Sequence, residues 1–253
     1  MCCNYLIQNY YKGKTFLEFS RDNYVNYGIS NGIRVMNKYL LPSLENQSCK
    51  KFIWILTLGD KANKTLVESL FHFNYSFEYK IIYNKSLKNY IRNISKGFDI
   101  LITSRIDYDD VIYYDAVNDV RKAINNNKPM LLYGYNRGVY YFEKEDKYYE
   151  FYRIYNNEGT MSVFHSLITV LKKVNDIYTI NDLGGHSVIR RNLLKSYKSF
   201  GIKNLSYEPA IFDSGDAKFI YVRQNFSCTY NSTMKFKKIL KIYNFNFSNF
   251  YRK

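Results

Sequence analysis

Phe98-Asp99-Ile100-Leu101-Ile102-Thr103-Ser104-Arg105-Ile106-Asp107-Tyr108-Asp109-Asp110 joins an apolar strand pattern to three closely spaced carboxylates. Ile100, Leu101 and Ile102, bounded by Gly97 and by the polar pair Thr103-Ser104, predict a short buried strand over Phe98–Thr103. Its C-terminal end opens into the acidic loop, and in open α/β sheets ligands bind beyond the carboxyl ends of the strands. Asp107, Asp109 and Asp110 repel one another, so their clustering calls for a cation or a phosphate-bound metal among them. The plainer alternative is an Asp-rich turn before a helix, whose N-terminus favours carboxylates.

Working outward, Phe52-Ile53-Trp54-Ile55-Leu56-Thr57-Leu58 is a nearly continuous apolar run of the kind covered on both faces, and it ends in Gly59-Asp60. Thr65 to Phe73 predicts a helix, Phe77 to Tyr83 a strand, and Ser86 to Lys96 a helix capped by Ser86. A further helix is expected from about Tyr113 to Ile124, with Val117, Val120 and Ile124 on one face. Three strand-to-helix units in succession predict a parallel α/β sheet with right-handed crossovers.

At the amino end, Cys3 to Gln8 predicts a first strand, the tract to Asn31 a loop, and the spacing from Ile33 to Leu44 a helix that Pro42 kinks or restarts. After Pro129 the texture changes. Met130–Tyr135, Val139–Glu143 and Tyr148–Tyr155 alternate as strands, with turns at Asn136-Arg137-Gly138 and Glu145-Asp146-Lys147, which predicts antiparallel hairpins added to the sheet. Met161–Leu171 is expected to be helical, Asn181-Asp182-Leu183-Gly184-Gly185-His186 a loop, Arg190–Tyr197 a helix and Ala217–Arg223 a late strand. Met234 to Lys253 forms a basic, aromatic, amphipathic tail.

The chain has 253 residues, 46% hydrophobic and 23% charged, enough for a sizeable core and against disorder. Aromatic residues reach 19%, nearly all Tyr and Phe, which together with abundant Asn, Lys and Ile reads as the codon drift of an AT-rich genome. The formal net charge of +15 implies attraction to an anionic partner, be it a nucleotide-linked substrate, nucleic acid or a lipid surface. Cys2, Cys3, Cys49 and Cys228 have neither metal-ligand spacing nor the density of a disulfide framework, which fits a reducing compartment. No signal-peptide pattern and no apolar run near 18 residues is present, so a cytoplasmic location is expected. Basic and apolar residues interleave at Lys235, Phe236, Lys237, Lys238, Ile239, Leu240 and Lys241. They suit either a solvated helix face or a peripheral contact with the anionic inner face of a membrane.

Three pieces in order carry a resemblance: Leu41-Pro42-Ser43-Leu44-Glu45-Asn46-Gln47, then Phe52-Ile53-Trp54-Ile55 to Asp60, then Thr103-Ser104-Arg105-Ile106-Asp107-Tyr108-Asp109-Asp110. Their order resembles the rhamnosyltransferase family and, more distantly, family 2 glycosyltransferases of GT-A fold. In those proteins a helix ending in Ser-Leu-x-x-Gln precedes a strand ending in Asp, and an Asp-x-Asp loop holds the metal of the sugar nucleotide. The match covers roughly residues 30 to 125, with weaker echoes at Phe164-His165-Ser166-Leu167-Ile168 and His186. It implies a GT-A-like α/β fold with a mixed, mainly parallel sheet flanked by helices. Residues 1–230 would form a single domain, with a nucleotide-binding half over 1–128, an acceptor-side half over 129–230, and the tail over 231–253.

The resemblance further implies that Asp60 contacts the nucleoside, that Asp107 and Asp109 flank the diphosphate and a Mn²⁺ or Mg²⁺ ion, and that Asp110 supports the loop or the acceptor side, with a catalytic part. Carboxylate and diphosphate oxygens suit such an ion, and one or two protein carboxylates suffice. Arg105 balances the cluster or meets a phosphate. The family's His-Gly-x-Asn segment is replaced by Tyr221-Val222-Arg223-Gln224-Asn225, which leaves Asn225 as a match and Arg223 as a phosphate contact. Glycosyl transfer with inversion needs a base near the acceptor hydroxyl. Asp182 is the candidate, beside His186, with Asp176, Glu208, Asp213 and Asp216 as alternatives; His72 and His165, in helices, are read as packing or surface residues. The implied partners are a nucleotide-sugar donor and a glycan or lipid-linked acceptor of surface polysaccharide synthesis. The competing classes are a nucleic-acid- or anionic-membrane-binding protein, with nucleic acid disfavoured, and a degenerate GT-A domain that binds without turnover.

Overall fold

Parallel pairing of short, β-branched runs sets the first layer. In the computed structural model, described for residues 2–4, 21–58, 62–71, 74–83, 87–125, 128–135, 137–152, 164–183, 189, 192–193, 210–212, 218–223 and 241–243, four strands lie parallel. They are β1 (Cys2–Asn4), β2 (Ile53–Leu58), β3 (Glu78–Tyr83) and β4 (Ile100–Ile106), in the order β3-β2-β1-β4. Beyond β4 the sheet continues with β9 (His165–Val170), antiparallel to both its neighbours, then β6 (Met130–Tyr135) and β10 (Ala210–Phe212). The first sheet is therefore a mixed α/β sheet, parallel over these four strands and partly antiparallel beyond them, while the hairpin of β7 (Arg137–Phe142) and β8 (Lys147–Tyr152), expected as an addition to it, lies in a second sheet.

Helices cover it. In α3 (Lys64–Leu70) the Asn63 side chain accepts from the Leu66 amide at 3.1 Å, satisfying one of the orphan donors of the first turn. Pro42 sits in the first turn of α2 (Leu40–Glu45), where a missing N–H costs nothing. On one face of the sheet α4 (Leu87–Ile94) places Ile91 against Ile55 and Ile82; on the other, Val120 of α5 (Ala116–Lys122) joins the main core with Trp54. The aromatic excess is spent here: the Trp54 ring lies 5.9 Å from that of Phe71 and 6.4 Å from that of Phe77, within the range of favourable ring pairing.

A second sheet stands beside the first, in the order β12-β8-β7-β11-β5. Its strands are β5 (Asp110–Ile112), β7 (Arg137–Phe142), β8 (Lys147–Tyr152), β11 (Phe219–Arg223) and β12 (Lys241–Tyr243), the last lying within the basic tail. The β7–β8 hairpin turns through Asp146 at φ +48°, as predicted for Glu145-Asp146-Lys147. Helix α1 (Arg21–Lys38) lies between the layers, with Ile33 and Met36 in the main core and Val35 packed with Val111, Val139 and Val222 of the second sheet. At its end Glu143 accepts from Lys38 Nζ at 2.6 Å and from the Tyr39 hydroxyl at 2.7 Å. Burial and that carboxylate push the Tyr39 hydroxyl far above its ordinary range, so it remains a donor.

Several sequence expectations are corrected. The Met161–Leu171 segment is no helix where described: His165–Val170 is the buried strand β9, because an apolar, β-branched run between two open edges gains more from pairing on both sides than helix propensity offers. The segment before Asn31 is not all loop, since α1 starts at Arg21. No hairpin pairs β6 with β7, which belong to different sheets; Arg137 and Gly138 are the first residues of β7, and Asn136 lies outside the described residues. Nor does β4 stop at Thr103. Thr103 and Ser104 are buried inside it and satisfied, with Ile180 N donating to Thr103 Oγ1 at 2.9 Å and Ser104 Oγ 2.7 Å from Ser166 Oγ. Ser86 and the remainder of the predicted first strand lie outside the described residues. Among the described residues no helix is long and apolar enough to cross a membrane.

Gly138 is fixed by packing. A Cβ there would land on the ring of buried Phe219, its neighbour across the β7–β11 pairing. Gly138→Ala is expected to lower stability by about 1–3 kcal/mol through overpacking, seen as a lower denaturant midpoint at unchanged slope.

Candidate functional site

The acidic residues occupy the junction between the two sheets. β4 ends at Ile106 in the first sheet and β5 begins at Asp110 in the second, so Asp107, Tyr108 and Asp109 make the whole crossing. The turn is closed by the Asp110 amide donating to the Asp107 carbonyl at 3.3 Å. Tyr108 anchors it, packing against the cores of both sheets. Asp107 and Asp109, on either side of that anchor, are both half-buried.

The position in the sheet matters as much as the residues. With the order β3-β2-β1-β4, the chain works outward from β1 to β3 and then crosses to β4 on the other flank of β1. The carboxyl ends of β1 and β4, paired at Cys3 and Ile106, therefore border the topological switch point. A crevice suited to a ligand forms there in open α/β sheets. Arg105, the residue before that edge, is buried and its Nε lies 3.5 Å from Asp107 Oδ1, a counter-charge under the turn. Across the sheet Arg105 is in register with Cys2 on one side and His165 on the other. His165 is fully buried, and Gly134 makes room for it: a Cβ there would lie 3.2 Å from His165 Cδ2.

The downstream side of the turn is held by α2. Ser43 lies within α2, and Gln47, two residues past its end, folds back so that its Nε2 donates to the Ser43 carbonyl at 3.0 Å. Gln47 Nε2 donates to the Tyr113 carbonyl at 2.8 Å, its Oε1 accepts from the Val117 amide at 3.1 Å, and Ile112 N donates to Ser43 Oγ at 3.5 Å. The Ser-Leu-x-x-Gln segment thus clamps the stretch from β5 to the start of α5. The i, i+4 spacing was visible in the sequence; its partner segment was not.

The other named residues separate into groups. Asp110 is not in the loop: it is buried as the first residue of β5, opposite Tyr221 of β11. Arg223, two residues farther along β11, is placed by the antiparallel register level with the turn. Asp182 is exposed, and its Oδ2 accepts from Thr179 N at 2.8 Å and Thr179 Oγ1 at 3.0 Å, closing a single 3-10 turn, Ile180–Leu183, that Thr103 ties to β4. Asp176 pairs with Arg92 at 2.7 Å and Lys88 at 3.6 Å; the Arg92 hydrogen bond holds its carboxyl below the ordinary range. Asp60, His186 and Asn225 lie outside the described residues, as do His72, Glu208, Asp213 and Asp216. Sequence reasoning missed β5, the buried place of His165 and the clamp by Gln47.

Among the described residues no group of three or more His, Cys, Asp or Glu side chains could hold a metal ion. A cation at this turn would rest on two carboxylates and take its other oxygens from a ligand and water, a donor set that suits Mg²⁺ or Mn²⁺. No protein-family model matches the chain, and no curated protein does. A solved structure, the inositol-1-phosphate CTP transferase from T. maritima, is similar over 75% of this chain and 72% of its own, at 11% identity and a TM-score of 0.33, too low a likeness to assign fold or activity.

The clamp yields a direct expectation. Gln47→Leu strands the buried Val117 amide, at a cost of about 1–3 kcal/mol, and takes one of two donors from the Tyr113 carbonyl, which keeps the Ala116 amide at 3.0 Å. The variant should unfold at lower denaturant, and hydrogen exchange at Val117 should accelerate more than at Trp54 in the core.

Proposed function

We propose that this chain is a GT-A-type glycosyltransferase that moves a sugar from a nucleotide-sugar donor to a glycan or lipid-linked acceptor. The observation that supports it most is the acidic turn Asp107-Tyr108-Asp109 standing at the switch point of a mainly parallel sheet, over buried Arg105. The order of motifs that resembles the rhamnosyltransferase family supports the same reading. Rhamnose itself is not implied.

In this reading Asp107 and Asp109 hold Mn²⁺ or Mg²⁺, which when bound supplies positive charge to the departing diphosphate. Arg105 sits under the turn with its Nε 3.5 Å from Asp107 Oδ1 and offsets part of the like charge of the acidic pair. Arg223, level with the turn on β11, adds a cation for phosphate. Asp110, buried in β5, supports the turn from within the second sheet. Asp60 is assigned to the nucleoside, with Asn225 and His186 as further contacts. Asp182, exposed and held by Thr179, is assigned as the base. It takes the acceptor hydroxyl proton while the acceptor oxygen bonds to the anomeric carbon and the bond to the nucleoside diphosphate breaks, inverting the centre.

Thermal unfolding of the full chain with Mn²⁺ and a panel of nucleotide sugars tests this. A ligand at one hundred times its Kd stabilises by about 2.7 kcal/mol, which for a chain of this size is a rise of roughly 5–10 °C. At least one donor should give that rise, and the double variant Asp107→Ala, Asp109→Ala should lose it. No shift with any donor, or a full shift in the double variant, contradicts the assignment. A shift without turnover for any acceptor leaves a binding domain and rejects the transferase.

A further inference from the structure

The outer edge of the first sheet carries a pattern that a second copy of the chain would complete. β3 (Glu78–Tyr83) is the last strand in the order and pairs with β2 along its whole length. Side chains alternate between the faces of a strand. On one face Tyr79, Ile81 and Tyr83 are half-buried against the main core. On the other, Ile82 is buried against Ile55 and Ile91, while Glu78 and Lys80 stand exposed.

An edge strand offers a row of backbone donors and acceptors to any strand that can lie beside it, and an exposed Lys is a common block. Lys80 alone would act as one. Glu78, on the same face of the strand, supplies the matching charge. When two copies of β3 lie antiparallel about a two-fold axis through Tyr79, residues equally distant from Tyr79 stand opposite one another, so Glu78 faces Lys80 of the second copy and Lys80 faces its Glu78. Tyr79 meets Tyr79 at the axis. Farther out, Ile81 falls opposite Phe77 and Tyr83 opposite Tyr75, apolar with apolar on the other face. The Tyr75 ring stacks on Phe77 at 5.1 Å and meets Tyr79 edge-on at 5.9 Å, a row of rings that leads to the axis.

We propose that β3 is a homodimer interface, at which two copies of this chain join edge to edge, β3 antiparallel to β3, about a two-fold axis through Tyr79. Charge selects this register. An axis through Glu78 or through Lys80 sets like charges against each other, and one through Ile81 sets Lys80 against Ile82 and leaves Glu78 facing no cation. An axis falling between two residues would run the apolar face of one copy into the charged face of the other. Symmetry also names the occupant, because a second copy presents Lys and Glu in the reversed order that Glu78 and Lys80 require. The interface uses none of the residues assigned to the donor or the acceptor, so it stands or falls apart from the transferase reading.

Sedimentation equilibrium of the full chain, with the variants Glu78→Lys, Lys80→Glu and the double exchange Glu78→Lys, Lys80→Glu, tests this. A short edge makes a small interface, so the unmodified chain should dimerise with a Kd in the micromolar range. Each single substitution places like charges opposite one another on both sides of the axis and should weaken the dimer about tenfold, and the double exchange should restore it. Both positions are exposed, so the substitutions leave the fold of each copy intact. General repulsion between copies makes the opposite forecast for one variant: Lys80→Glu lowers the formal net charge of +15 and on that ground alone would tighten association. A monomer at every concentration, a dimer indifferent to the single substitutions, a tighter dimer in Lys80→Glu, or a double exchange as weak as either single variant would overturn the proposal.

Discussion

The structure depends on one constraint: β4 must leave the first sheet and enter the second within three residues. Asp107, Tyr108 and Asp109 make that crossing, and everything around them is arranged to hold it. Tyr108 is gripped by both cores, Arg105 supplies a charge from beneath, and Ser43 with Gln47 fixes the chain as it emerges. A tight turn between two packed sheets leaves its two flanking carboxylates little freedom, which in the proposed function pre-organises them for a cation and a diphosphate. The same crossing places them at the switch point of the sheet, so topology and charge meet at one edge.

How much of this was legible follows from what each signal depends on. The four parallel strands and the helices between them were readable because β2, β3 and β4 are short apolar runs separated by helical periods, a pattern set locally. β9 was misread because Phe164-His165-Ser166-Leu167-Ile168-Thr169-Val170 has no helix-or-strand signature of its own; its conformation is decided by the open edges of β4 and β6, which are distant in sequence. β5 was missed for the same reason. Three residues after a cluster of aspartates become a strand only because β11, more than a hundred residues later, offers an edge.

Site residues divide along the same line. Asp107 and Asp109 stood out as crowded like charges, an effect contained in four residues of sequence. Gln47 and Ser43 were seen as part of a motif but not as a clamp, because their partners Ile112, Tyr113 and Val117 reach them only through the fold. His165 was read as a packing or surface residue of a helix; it is a packing residue, fully buried, but in a strand in register with Arg105, where Gly134 vacates space for its ring. The aromatic excess, discounted as genome drift, still does structural work: Trp54 against Phe71 and Phe77, and Tyr140 stacked on Tyr221 at 5.3 Å, build the cores that grip the turn.

The central claim is that the crossing turn holds a divalent cation together with a nucleoside diphosphate. Titrating Mn²⁺ into the full chain and following the free ion by electron paramagnetic resonance, with and without a nucleoside diphosphate, addresses it most directly. The account predicts weak binding of Mn²⁺ alone, at least tenfold tighter binding when the diphosphate is present, and loss of that coupling in the double variant Asp107→Asn, Asp109→Asn. Mn²⁺ binding that is indifferent to the diphosphate, or coupling that survives the double substitution, would contradict it.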